Sequence, residues 1–270
     1  MKFIMNGILS IDPKYQRLFS FNEELRDLIE NNWDKTVTVK TPTEAIVVFA
    51  LTKGHKTHKA SLILCDQGFG QDAAILVRSL FELAVICGYI TKDKTENKAL
   101  RYMNYDWILR KKMFTYVQSK ENLVKLIKEE RPETNQIIED VLKSSKEADK
   151  KFEYEYFGWS DKRLIEMSKD TGLGDIYKTV YVLQSQLAHS DPRVVNEYVK
   201  EENNKFAYDS GASERWIIEA LVTAFHFYYL IAAYWNETFN IGLNPKFDKL
   251  TKRYAKQVGN EEKRKYGVKE

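Results

Sequence analysis

A chain of 270 residues in which 43% of side chains are hydrophobic and 30% charged can bury a sizeable core and stay dissolved, which excludes disorder for the bulk of it. Its two cysteines, Cys65 and Cys87, each stand in an apolar run without a partner at ligand spacing; this argues against a disulfide framework and points to a reducing cytoplasm. The net charge of +3 discriminates poorly, because a nucleic-acid binder usually carries a stronger basic stripe.

Glycine (12) and proline (5) are scarce and fall mostly where helices should stop, so long helices in one domain, residues 1–243, are expected. Met1 to Asn6 hold only a short apolar patch, unlike a secretory signal. Tyr15 to Trp33 reads as an amphipathic helix, with Leu18, Leu25, Leu28 and Ile29 at helical spacing. Thr43 is the expected N-cap of a helix to Gln67, with Glu44 in its first turn. From Gly70 to Thr91 runs an apolar rod interrupted by Arg78 and Glu82, and Thr95 to Ser119 follows as an amphipathic helix. Short connections would make these three antiparallel neighbours.

From Lys120 to Tyr156 the composition turns charged, and Pro132 is placed to start a helix of a solvated outer layer. Ser160 is expected to cap a short helix ended by Gly172 and Gly174, and Asp175 to Ser190 forms the next, stopped by Pro192. Glu201 to Gly211 reads as a polar loop or small hairpin, and Ser213 as the cap of a long helix to Asn240. Residues 244–270 form a basic tail, with nine Lys/Arg against four Asp/Glu. The expected fold is an all-α, single-domain antiparallel helix bundle with a charged outer helical layer.

Trp216 to Trp235 is about long enough to cross a bilayer, but it contains Glu219 and His226, and the apolar stretch Ala73 to Ile90 contains Arg78 and Glu82. Both are therefore expected to be buried central helices, with no membrane partner.

The chemistry-bearing candidates are few. Arg78 and Glu82 share a helix face in apolar surroundings, where a charge needs a partner. Tyr177, Tyr181, Ser185 and His189 recur every four residues, with His189 at the helix C-terminus, where the dipole favours a cation and Asp191 adds to the effect. Arg78, Glu82, Ser185 and His189 then form either a satisfied buried network that sets helix register or a functional site. His55 and His58 lack a nearby Cys, Asp or Glu at ligand spacing, so a solvated helix surface is expected there, with no metal and no cofactor. His226 reads as a hydrogen-bonded core residue, and Gly68 to Gly70 as a helix-helix turn.

The run DQGFGQDAAILVRSLFELAVICGYI, with Arg78, Ser79, Leu80 and Glu82 matching an R-S-L-x-E helix, resembles the bacterial domain of unknown function 5677. Trp159, Gly172–Leu173, Tyr177, Ser185 and His189 extend the resemblance over residues 43–198. Within it, QSQLAH (Gln184 to His189) is similar to the Arg-Asn-x-Ile/Leu-Ala-His run of HEPN ribonucleases, helical proteins that often dimerise around a metal-independent RNA-cleaving site. That similarity implies a HEPN-like bundle, RNA as partner, a homodimer, a role in phage defence or a toxin system, and His189 as acid-base residue. Gln184 and Ser185 replace the motif's arginine and asparagine, so the cation would have to come from Arg78 or Arg193, with Glu82 orienting and Tyr177, Tyr181, Gln184 and Asp191 contributing to binding. Two further readings stay open: a non-catalytic scaffold that binds a partner, and an enzyme acting on a small nucleotide-like ligand.

Overall fold

Apolar spacing turns into helix along most of the described residues. The computed structural model describes residues 13–35, 38–122, 124–125, 134–154, 158–202 and 205–266. Its main helices are α1 (Pro13–Glu30), α2 (Pro42–Asp66), α3 (Gly70–Thr91), α4 (Asn97–Gln118), α5 (Thr134–Phe152), α6 (Leu164–Asp170), α7 (residues 174–188), α8 (Ile217–Phe239) and α9 (Asn244–Tyr266). A hairpin of β1 (Val199–Glu202) and β2 (Lys205–Tyr208) lies between α7 and α8, antiparallel, with Val199 opposite Tyr208.

Helices α2, α3 and α8 pack against one another as the centre, and α1, α6, α7 and α9 lean on that core. The two helices long and apolar enough to cross a membrane, α3 and α8, are the central ones. Val77, Leu80, Phe81 and Ala84 of α3 and Leu221, Tyr228, Ile231 and Trp235 of α8 are fully buried, as expected of rods that are apolar on nearly every side. The charged outer layer is present: α5 buries only Val141, Ser145 and Ala148, packing on α4. The start of that helix near Pro132 lies outside the described residues. Within the basic stretch 244–270, α9 buries Phe247, Leu250 and Tyr254 in the main core.

Three helix starts differ from expectation. Helix α2 is capped by Thr41, not Thr43, because Pro42 fits the first helical position. The Thr41 hydroxyl accepts the Glu44 amide at 3.1 Å and the Glu44 carboxylate accepts the Thr41 amide at 3.2 Å. Thr43 instead donates its backbone N–H to Glu96 at 2.7 Å. Helix α6 starts after Arg163, whose backbone N–H donates to Glu166 at 2.8 Å, while the Ser160 hydroxyl accepts the Lys162 amide and closes a preceding turn. Helix α8 starts after Trp216 in the left-handed region, φ 63°, with no side-chain cap. Ser213 is held by another bond, its N–H donating to Gly68 O at 2.8 Å, which pins the α2–α3 turn to the entry of α8.

The histidines also differ. His58 is fully buried, not solvated: Nε2 donates to Asn22 Oδ1 at 2.8 Å and the ring stacks on Tyr228 at 4.5 Å. His55 meets the Tyr228 hydroxyl at 2.8 Å and Glu30 at 3.1 Å. His226 is only partly buried, and its Nε2 has no hydrogen-bond partner among the described residues.

Candidate functional site on helices α3 and α7

Arg78 stands on α3, where Val77, Leu80 and Phe81 anchor the helix in the core and so fix where the guanidinium emerges. Opposite runs α7, which is not a regular helix. After Gly174–Ile176 it widens into a π-helical turn over Tyr177–Tyr181, where the Val182 amide reaches back five residues to Tyr177 O, and then returns to α geometry over Val182–Ala188. Such turns insert one extra residue and recur at functional positions.

The two helices meet through one polar cluster. Arg78 donates from Nε to Ser185 Oγ at 2.8 Å and from Nη2 to the Tyr181 hydroxyl at 2.8 Å, and it pairs with Glu82 at 2.9 Å. The Tyr181 hydroxyl donates in turn to Glu82 at 2.7 Å. Burial, followed by the Glu82 carboxylate accepting that proton, pushes the Tyr181 phenol up to about 12, so it stays a donor at neutral pH. Tyr177 stacks on Tyr181 at 4.8 Å, and Phe81 supports Tyr181 from below at 5.0 Å.

The cluster is partly open. The Arg78 and Glu82 side chains are 22% and 33% exposed, so the pair is neither sealed in the core nor a plain surface pair. Glu82→Ala is therefore expected to cost about 1–2 kcal/mol, between the value of an exposed pair and the 3–5 kcal/mol of a sealed one. A urea titration checks this; a loss of 4 kcal/mol or more would mean the pair behaves as if sealed.

The other expected site residues take different positions. His189 is exposed at the C-terminal cap of α7, one turn beyond Ser185; its backbone N–H donates to Ser185 O at 3.0 Å, and its imidazole makes no hydrogen bond or ion pair among the described residues. Asp191 and Arg193 are exposed in the following turn. Gln184 turns away from the cluster: it is 1% exposed and its Nε2 donates to Thr223 of α8 at 3.2 Å. With Val180 and Leu183 it lines a groove of about 1160 Å³ on a different face of α7, bounded by Leu18 of α1, Trp216 at the head of α8 and Val258 of α9. Periodicity carried no sign of this groove, which is assembled from segments far apart in the chain. Among the described residues no group of three or more His, Cys, Asp or Glu side chains is arranged to hold a metal ion.

Residues 44–206, well over half of the chain, match the model of a family of unknown function (DUF5677), closely overlapping the stretch expected from the sequence. No curated protein and no solved structure matches.

Proposed function

We propose that this chain, which belongs to the DUF5677 family of unknown function, acts on RNA at the exposed end of α7, cleaving a phosphodiester without a metal. The observation that carries the reading is the 2.8 Å bond from Arg78 Nε to Ser185 Oγ. It sets a cation from α3 one helical turn from His189, supplying from another helix the charge that Gln184 lacks in the QSQLAH run. In this reading the His189 imidazole removes the proton of a ribose 2′-hydroxyl. The resulting oxygen attacks the adjacent phosphorus, and the departing 5′-oxygen takes a proton, leaving a 2′,3′-cyclic phosphate and a 5′-hydroxyl. Arg78 Nη1, which makes no hydrogen bond among the described residues, and the exposed Arg193 are the groups that meet the phosphate charge.

One observation favours a second reading, a non-catalytic helical scaffold. Glu82 and Tyr181 already occupy Arg78 Nη2, and the carboxylate offsets its charge, as a register-setting network would. The test compares wild type with His189→Ala on single-stranded and structured RNA in EDTA, after equal thermal stability is shown. Because the His189 side chain is exposed and has no bonding partner among the described residues, the substitution should leave the melting temperature within about 2 °C. It should lower cleavage by about 10²-fold or more. Cleavage that persists in the variant removes His189 from the reaction; no cleavage by either protein favours the scaffold.

A further inference from the structure

Helix α9 has two faces with unlike surroundings. Phe247, Leu250 and Tyr254 point into the main core. At 100° per residue, Lys246, Lys249, Lys252, Arg253 and Lys256 fall within an arc of roughly 120° on the other side, over a rise of about 15 Å. All five are exposed. Arg253 pairs with Glu24 of α1 at 2.7 Å, whereas the ammonium groups of the four lysines have no ion-pair or hydrogen-bond partner among the described residues. The stretch Asn244–Gly259 contains one acidic residue, Asp248. Like charges in a row repel one another and add nothing to the packing of α9, so fold stability does not account for this face.

We propose that the lysine face of α9 is a docking surface for the phosphate backbone of a nucleic acid, held without regard to sequence; that the nucleic acid is RNA rests on the function proposed above. Charge complementarity selects a polyanion, and the fold separates the two common kinds. A helix that binds an anionic membrane inserts an apolar face between lipids, but the apolar face of α9 is already spent in the core, so lysines alone remain. A phosphate backbone needs only such a row of cations, because each contact releases condensed counterions.

Fluorescence anisotropy on the full chain, with a short single-stranded oligoribonucleotide carrying 2′-O-methyl groups, separates docking from cleavage, since that strand cannot be cut through its 2′-oxygen. Four lysine contacts predict a slope of about −2.8 in log affinity against log salt, or about fifty-fold weaker binding at 200 mM than at 50 mM salt. Replacing Lys246, Lys249, Lys252 and Lys256 together by Gln should flatten that slope to near zero. The matched control replaces Lys112 of α4 and Lys143, Lys146 and Lys150 of α5, all exposed, and should leave the slope in place. Equal losses in both variants would reduce the effect to net charge and overturn the proposal. So would an absence of binding, or binding to phosphatidylserine vesicles without binding to the oligonucleotide. Docking without cleavage of unmodified RNA would leave the lysine face standing and remove the reaction assigned to α7.

Discussion

Gly70→Ala is expected to destabilise the fold by about 3 kcal/mol or more, while Gly88→Ala, about five turns further along the same helix, should cost clearly less. Both glycines are buried in α3, and neither has a left-handed φ, so the contrast lies in what a methyl group would strike. At Gly70 it would press on backbone: Arg215 O, Ile217 N at 2.6 Å and Trp216 C at 2.7 Å. That backbone cannot swing aside, because Ser213 is bonded to Gly68 and Trp216 already occupies φ 63°. At Gly88 the methyl would meet the phenol of Tyr234, a side chain with rotamers to spare. Equilibrium urea unfolding of the two variants measures the difference; equal midpoints would show that the entry of α8 is free to move.

Acid should loosen the junction of α1, α2 and α8 before other parts of the core, through His58. Asn22 Nδ2 donates to Leu18 O at 2.9 Å and Leu221 O at 3.2 Å, so its Oδ1 is the acceptor that His58 Nε2–H meets. Nδ1 is thus the bare nitrogen of a neutral ring, buried without a partner among the described residues. Burial, then the nearby Arg26 and His55 charges, hold the His58 pKa well below its usual value. The unfolded chain therefore takes up a proton that the folded chain refuses. The stability contributed is fully present above about pH 6.5 and falls as pH drops below it, by up to about 1.4 kcal/mol per pH unit. His58→Phe should keep the stacking on Tyr228 and start less stable, with Asn22 Oδ1 unpaired, but lose less between pH 7.5 and 5.5 than wild type. Parallel pH profiles for the two proteins would show that His58 is not the group responsible.

The sequence reveals most where a residue's role depends on its immediate neighbours. The apolar run with its flanking glycine placed α3 over Gly70–Thr91, and i, i+4 spacing paired Arg78 with Glu82, as observed. It misleads where distant chain decides. Thr43 and Ser213 have the right chemistry for caps, but Glu96 and Gly68 claim their backbones. His55 and His58 look like a surface pair until α1 and α8 close over them, because nothing in a helix shows which of its faces will be covered twice. Likewise Gln184 stands at the motif's arginine position, yet Thr223, 39 residues away, determines that it faces away from the cluster.

The π-helical turn Tyr177–Tyr181 acts as a counter of residues. Each residue carries the chain about 100° around a helix, so removing one from that turn would restore ordinary α geometry and swing everything beyond it by that angle. Ser185 would leave Arg78, and the exposed imidazole at the end of α7 would face a different part of the surface. In this segment length is therefore held more tightly than composition: side chains such as Lys178 and Thr179, which point outward, are free to vary, while an insertion or deletion would unmake the junction of α3 and α7.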